Sequence, residues 1–367
     1  MDRPIVILGG GLWGGLLGYR LSLVHPDKKF LVLEADSRFG GNHTWSFHSS
    51  DVDISQLKWL APIIRQSWTG YTVHFPDHSR HIKGSYHSIC SDKFHEVLNE
   101  RLKQNTNFNK YYSLEEAKKL GSFVIDARGK FEEGRAGYQK FLGLEVELEE
   151  SHNLIFPILM DAKVSQSDGY RFLYYLPFSS NTVLVEDTRY SSRPDLNEAE
   201  LENEIFYEIR RRGWKIKSVI RKEKGVLPIP LSKLNHQEKE GVVDLGGILH
   251  DTTGYSLPDA IRLVDLLMKT DLSLNAVKSC VKKYREDREK DRSFFRILNL
   301  LMFEAAKDNE RYRVFQHFYL LPEPTIARFY QGKLTRLDRA KIFIGKPPVP
   351  VLSAIKCFLP QNKRVNA

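Results

Sequence analysis

A short apolar run that enters three consecutive glycines and then a helix constrains this fold more than any other feature of the chain. Residues 4–8 read Pro-Ile-Val-Ile-Leu, and Gly9-Gly10-Gly11-Leu12-Trp13-Gly14 follows at once. Residues 12–24 have helical character, and Phe30-Leu31-Val32-Leu33-Glu34 is a second apolar run ending in an acid. Strand, glycine turn, helix and strand within about thirty residues make a βαβ unit, whose parallel crossover is right-handed. The spacing of Gly9, Gly11 and Gly14 is that of G-x-G-x-x-G. The first glycine permits the tight turn, the second lets backbone approach a pyrophosphate, and the third lets helix and strand pack closely. The pyrophosphate would rest on the positive end of the helix. Glu34 ends the second strand, where its carboxylate can accept the ribose hydroxyls of an adenosine. A dinucleotide is therefore expected, and a motif this close to residue 1 favours FAD over NAD.

The remaining pattern alternates between helix and strand. Residues 92–104 read as a helix after an Asp92 N-cap, and residues 121–129 as a buried strand. Residues 143–149, 170–176 and 182–188 alternate as strands of a second sheet. Residues 197–213 form a charged helix closed by Gly213, residues 242–249 a buried strand, and residues 258–269 a helix with Pro258 near its start. The segments 121–129 and 242–249 also resemble the later adenine- and flavin-contacting segments of large FAD enzymes. The expected architecture is α/β: a Rossmann-like FAD-binding domain with an inserted β-rich substrate domain and a helical C-terminal part. The FAD-binding part is placed at 1–80, continued at 114–130 and 225–270. The substrate part is placed at 81–113 and 131–224, and a basic helical region at 271–367.

Charge and cysteine content narrow the setting. Three cysteines, Cys90, Cys280 and Cys357, make neither a disulfide framework nor a C-x-x-C metal site, and fit a reducing, cytoplasmic compartment. Twelve histidines without close ligand spacing give no metal site. No apolar run reaches about 18 residues, so no spanning helix is expected, and the N-terminus does not read as a signal peptide. The net charge of +9 is unevenly placed: residues 271–367 carry 20 Lys and Arg against 10 Asp and Glu. Such a block suits a polyanion, either nucleic acid or an anionic membrane surface, or is simply a solvated face.

Five blocks carry a more specific signal. They are Gly40-Gly41-Asn42-His43-Thr44-Trp45-Ser46-Phe47-His48; Leu184-Val185-Glu186-Asp187-Thr188; His250-Asp251-Thr252-Thr253-Gly254-Tyr255-Ser256-Leu257-Pro258; Phe294-Phe295-Arg296-Ile297-Leu298-Asn299; and Gly345-Lys346-Pro347-Pro348-Val349-Pro350-Val351-Leu352. In this order, over residues 4 to about 355, the chain resembles the bacterial lycopene β-cyclases, flavoproteins that form carotenoid rings. The resemblance implies conversion of lycopene to β-carotene by way of γ-carotene, without net redox change. It implies FAD, active when reduced, with NAD(P)H as reductant. It also implies work at a membrane, with other carotenoid-pathway enzymes as candidate partners, and a catalytic acid at Glu186. Three departures stand out: Asp251 where the family commonly has Pro, GGGLWGG in place of G-A-G-L, and a compressed stretch around 130–135.

The chemistry asks for such residues. Lycopene has no heteroatom, so ring closure begins with a proton on a terminal double bond, from an acid that stays protonated near neutral pH. A carboxyl among Val183, Leu184 and Val185 has that property through desolvation, while Asp187 should point to the other face. The bland alternative is a strand glutamate paired with Arg189. The resemblance also implies cofactor contacts at Gly41, His43, Gly246, Gly254 and Tyr255, with Tyr255 in a turn against the flavin and His43 structural beside it. Tyr170, Phe172, Tyr174 and Tyr175 lie near Glu186 in sequence and supply candidate aromatic faces for a cation. Residues 293–303 and 349–359 are apolar among basic residues and read as interfacial segments, giving a peripheral protein on the cytoplasmic side of a membrane. No helix-turn-helix, zinc finger or RNA-binding motif is present, which sets nucleic acid aside. The competing function is an FAD/NAD(P)H-dependent oxidoreductase or hydroxylase on a carotenoid or other apolar substrate. A flavin-binding membrane adaptor without activity is the non-enzymatic alternative.

Overall fold

Strand β1 (Ile5–Leu8) is the middle of a parallel sheet, flanked by β2 (Phe30–Leu33) and β7 (Phe123–Asp126) with Ile5 opposite both Phe30 and Phe123. The outer positions belong to β13 (Val242–Asp244), beside β7, and β6 (Thr106–Asn107), beside β2. The computed structural model describes residues 3–129, 134–234, 236, 238–345 and 348–358. Most of the compressed stretch expected near 130–135 thus lies outside the described residues, as do Lys346 and Pro347. Ile5, Val6, Ile7 and Leu8 are all buried, because a parallel sheet is covered on both faces. One cover is α1 (Leu12–Val24), which packs with α3 (Ser91–Leu102) and α6 (Leu257–Leu267) around Leu16, Phe94, Leu98 and Ile261. Helix α4 (Leu114–Leu120) brings Ala117 to the other face, against Val6 and Val124.

The second sheet has eight strands, in the order β12-β8-β11-β10-β9-β4-β5-β3. These are β3 (Thr44–His48), β4 (Gln66–His74), β5 (Ser79–Cys90), β8 (Ala136–Leu148), β9 (Ile158–Asp161), β10 (Tyr170–Pro177), β11 (Thr182–Ser191) and β12 (Ile216–Pro230). All pairs are antiparallel except β4 with β9. The two faces have different fates. Leu142, Leu144, Val146, Val183 and Val185 point to the face covered by α5 (Glu198–Arg211), against its Leu201, Ile205 and Ile209. The opposite face carries Leu184, Glu186, Tyr174 and Phe141 and looks into the interior of the molecule. Helix α2 (Ile54–Leu60) connects β3 to β4 and opens on an Asp53 capping box.

The C-terminal quarter is helical: α7 (Leu274–Leu300), α8 (Tyr312–Phe318), α9 (Glu323–Tyr330), α10 (Arg336–Ile342) and α11 (Val351–Phe358). Helix α7 runs into a π-helical turn over Leu301–Ala305.

Several expectations need correction. Residues 44–80, expected beside the first sheet, supply β3, β4 and the start of β5 to the second. Within 81–113, expected in the substrate part, α3 packs on α1 and β6 joins the parallel sheet. Strand β12 runs to Pro230 in the second sheet, beyond the boundary expected at 224. The N-cap of α3 is Cys90 rather than Asp92, which lies in the first turn, where its charge still complements the helix dipole. The apolar segment 293–303 is packed largely inside rather than lying in an interface: Phe295, Met302 and Phe303 are buried in the core beneath the second sheet and Leu301 packs with Cys357, while Phe294, Ile297, Leu298 and Leu300 are half-buried.

Candidate functional site

The glycine loop has a distinct geometric demand at each position. Gly9 takes φ +103°, and its N–H donates to the Leu33 carbonyl at 2.8 Å. A Cβ on Gly14 would lie 1.8 Å from the Gly9 oxygen, so only glycine lets the helix approach the strand here. A Cβ on Gly11 would meet nothing within 4 Å, which leaves open space over the first turn of α1. Glu34 accepts from the Gly10 N–H at 2.5 Å through one oxygen and from the Asp36 N–H at 2.9 Å through the other. A carboxylate has about four lone-pair sites, so these bonds orient it and leave capacity for ribose hydroxyls. Gly40 donates to the Gly10 carbonyl at 3.0 Å, and Gly41 takes φ +60°. Gly246 lies in the turn after β13, with its N–H on Asp244 Oδ1 at 2.8 Å and its carbonyl held by Arg285 at 2.8 Å. The open helix start, the oriented acid and the close-packed third glycine fit an FAD pyrophosphate and adenosine.

A cavity of about 220 Å³ lies between the second sheet and the turn before α6. Gly254 and Tyr255 form one wall, His43, Thr44 and Trp45 another, and Glu186, Tyr174 and Phe141 the floor. Gly254 takes φ +69° and passes so close to Leu227 that a Cβ would come within 3.1 Å of it. The Tyr255 hydroxyl is 3.4 Å from that of Tyr174, and its ring centroid is 6.0 Å from that of Tyr330. His43 is open to the cavity, yet desolvation by the protein around it lowers its pKa and favours the neutral imidazole.

Strand geometry explains the setting of Glu186. It lies on β11, opposite Tyr174 on β10 and Gly143 on β8. Its Oε1 accepts from the Thr188 hydroxyl at 2.5 Å, and among the described residues no arginine bonds to it. Burial, helped by the nearby Glu223 carboxylate, raises its pKa to about 8. Asp187 points to the opposite face, where it receives Arg171 at 2.7 Å and Arg189 at 3.2 Å. Arg189 reaches on to Glu200 of α5 at 2.7 Å. Alternation thus separates two adjacent acids, one ion-paired under a helix and the other facing the cavity.

Sequence reasoning missed the charged group beside this cavity. Arg221 contacts Glu223 at 2.5 Å, Glu145 at 3.3 Å and the Thr44 hydroxyl at 2.7 Å. Arg65 binds Glu145 through both nitrogens, at 2.9 and 2.6 Å. Residues up to 179 positions apart meet here, which no local pattern announces.

A second cavity, of about 290 Å³, adjoins the first. Thr253 lines both, and Leu298, Met302, Phe315, Phe318 and Ile355 make the second almost wholly apolar. The turn between the cavities is held from the C-terminal helices. His250 Nε2 is 2.8 Å from the Phe329 carbonyl, while its Nδ1 accepts from the Thr252 and Thr253 N–H groups at 3.3 Å. That pattern requires the Nε2–H tautomer, and burial lowers the histidine pKa to about 3. Asp251, a buried carboxyl, receives Arg292 at 3.0 Å and Arg296 at 3.6 Å. At the rim of the second cavity Leu352 is 78% exposed, with Ile344 and the lining residues Phe343, Val351 and Ile355 also exposed. Among the described residues no helix is long and apolar enough to cross a membrane, and no cluster of three His, Cys, Asp or Glu is placed to hold a metal.

The architecture is mixed α/β, with a curled sheet and a helical C-terminal region, and in this it resembles the FAD-binding oxidoreductase folds. It superposes on a geranylgeranyl bacteriochlorophyll reductase-like protein from Thermoplasma acidophilum with a TM-score of 0.61 at 12% identity, covering 95% of this chain and 97% of that one. A flavin-dependent halogenase from Xanthomonas campestris gives 0.57 at 11% identity, covering 93% of each chain. At those identities the likeness is one of fold alone. Sequence is far more specific. The family model described as lycopene cyclase protein matches residues 4–356. A lycopene beta-cyclase of Pseudescherichia vulneris is 40% identical over 97% of both chains, and one of Pantoea ananas is 37% identical over 98% of both. This chain belongs to the lycopene cyclase family.

Proposed function

We propose that Glu186 is the acid with which this enzyme closes rings on lycopene, in the redox-neutral manner of a lycopene β-cyclase. The observation that carries the reading is a buried carboxyl, bonded by no arginine among the described residues and raised in pKa by its burial, in a cavity that continues into an apolar one. Glu186 delivers a proton to C2 of the terminal C1=C2 double bond, which leaves a tertiary cation at C1. The C5=C6 double bond attacks that cation, forming the C1–C6 bond and moving the charge to C5. Loss of the C6 proton then makes the β-ring double bond. One proton enters and one leaves, so no electrons are consumed. One end closed gives γ-carotene, and both give β-carotene.

Apolar walls and the phenolic rings of Tyr174 and Tyr255 exclude water that would trap the cation, and aromatic faces stabilise positive charge. Gly9, Gly11, Gly14, Glu34, Gly41, His43, Gly246, Gly254 and Tyr255 are the residues proposed to hold FAD. Reduced FAD, when bound, supplies an electron-rich ring that offsets the cation, with NAD(P)H as the reductant. The second cavity would seat the length of the polyene. The exposed apolar side chains beside it, with Arg336 and Lys341 of α10, would rest on an anionic bilayer on its cytoplasmic side. Enzymes that make lycopene or consume its cyclised product would be neighbours there.

The test is anaerobic incubation of the purified protein with lycopene in liposomes and chemically reduced FAD, without NAD(P)H, followed by pigment chromatography. Formation of γ- or β-carotene supports the reading. Glu186→Gln protein with normal FAD content should form neither, and full cyclisation by that variant would refute the role of Glu186.

A further inference from the structure

We infer that Glu223, pinned by Arg221 and facing Glu186 across a strand position without a side chain, is a positioning residue for the proton that Glu186 delivers. The inference rests on Glu186 being the acid of the reaction.

The register carries it. Gly143 on β8 is directly opposite Glu186 on β11 and, on its other side, directly opposite Glu223 on β12. Paired positions in antiparallel strands share a face, so both carboxyls project over Gly143 toward the same cavity side. A Cβ there would come within 3.1 Å of Glu223 Cγ and 3.2 Å of Leu184 Cδ1. Glycine therefore keeps open the gap through which the two acids face one another.

Glu223 is an unusual residue for an edge strand, being turned inward and 2% exposed. It is held in place by Arg221 Nη1 at 2.5 Å and by the Thr44 hydroxyl at 3.0 Å. Thr44 belongs to the His43–Trp45 wall of the cavity, so that segment and the acid are mechanically joined. Arg221 does not face Glu223 alone. It also contacts Glu145, itself bound bidentately by Arg65. The four residues are two cations and two anions, and the end of this cluster turned to Glu186 is an anion. Accordingly, Glu223 raises the Glu186 pKa more than Arg221 lowers it.

The other titratable groups around Glu186 do not replace that influence. Tyr174 on β10, Tyr86 on β5 and Tyr255 in the turn have pKa values pushed upward by burial and stay neutral. His43 is lowered toward the neutral form. Asp187, on the same strand, is on the far face with two arginines.

Glu223→Gln, Glu223→Asp, Glu186→Gln and the unaltered enzyme should be assayed for lycopene cyclisation in liposomes with reduced FAD from pH 5.5 to 9. Infrared titration of the protonated carboxyl band that Glu186→Gln removes should accompany the assay. In E223Q the alkaline limb of activity and the midpoint of that band should both move down by about one pH unit, a tenfold loss of protonated acid above the limb. E223D, which keeps the charge but draws it back from Glu186, should show a smaller downward shift of both, and that shift carries the test if E223Q does not fold. An alkaline limb and band unmoved in E223Q, or moved upward, would overturn the inference while leaving Glu186 as the acid. Full activity in E186Q would instead overturn the reading beneath it.

Discussion

A carboxyl that holds its proton in the folded protein to about pH 8, against an ordinary value of 4.5, is a cost to stability as well as an asset to chemistry. Between those pH values the folded state binds more protons at Glu186 than the unfolded chain does, so stability falls as pH rises. The contribution is fully present below about pH 4.5, and it is lost by the time pH has passed through the folded value. The shift corresponds to about 5 kcal/mol over the whole window, and to roughly half of that between pH 5 and pH 7. Glutamine has the shape of glutamic acid and cannot ionise. Glu186→Gln should therefore become progressively more stable than the unaltered protein as pH rises. Urea unfolding of both proteins at pH 5, 6 and 7, followed by circular dichroism, reads this, because titrating groups not coupled to Glu186 cancel in the difference. The expected result is a stability difference that grows by roughly 2 to 3 kcal/mol from pH 5 to pH 7. A difference constant to within about 0.5 kcal/mol would mean that Glu186 ionises normally, and the proposed acid would lose its physical basis.

Other substitutions separate further parts of the reading. Gly11→Ala meets no neighbour, so it should fold normally yet lose FAD affinity about tenfold by filling the pyrophosphate approach, as read by flavin fluorescence titration. Gly14→Ala, with its Cβ 1.8 Å from the Gly9 oxygen, should lower the melting temperature as well. Arg292→Ala leaves Asp251 buried with only Arg296 at 3.6 Å, and should cost about 3 kcal/mol in chemical unfolding. Leu352→Glu alters a side chain 78% exposed, so the fold should be unchanged while sedimentation with anionic vesicles weakens about tenfold.

The parallel sheet was readable because its signals are local. Buried parallel strands are continuous apolar runs, and the glycine spacing states the turn, the approach and the packing within six residues. Strands β10 and β11 were readable for a related reason, since alternation separates a helix-facing side from a cavity-facing side. Strand β12 was not. Lys217, Arg221, Lys222, Glu223 and Lys224 fall within it. An edge strand can send some charges to solvent, whereas the inward ones are satisfied by partners from β3 and β8 that sequence distance hides. The same limit explains segment 293–303. Apolar residues among basic ones describe an interfacial helix and a buried helix equally well. Arg292 and Arg296, bound to Asp251, and Asn299, bound to the Asp251 and Pro230 carbonyls at 2.9 Å, make it the buried one.

That burial changes what the basic C-terminal quarter is. The turn from His250 to Tyr255 forms a wall of the Glu186 cavity, yet its bonds run to α7 and α9, through Arg292, Arg296, Asn299 and the Phe329 carbonyl. The same helices, with the π-helical turn after α7, line the apolar cavity on the other side of Thr253. The groups that would grip the polyene and those that set the wall opposite the acid are therefore one packed unit. A displacement of α7 sufficient to admit a long substrate would strain the Asp251 and Asn299 bonds, and through them the position of Tyr255 over Glu186. The arginine pairs on Asp251 would hold that wall in register as the cavity beside it filled.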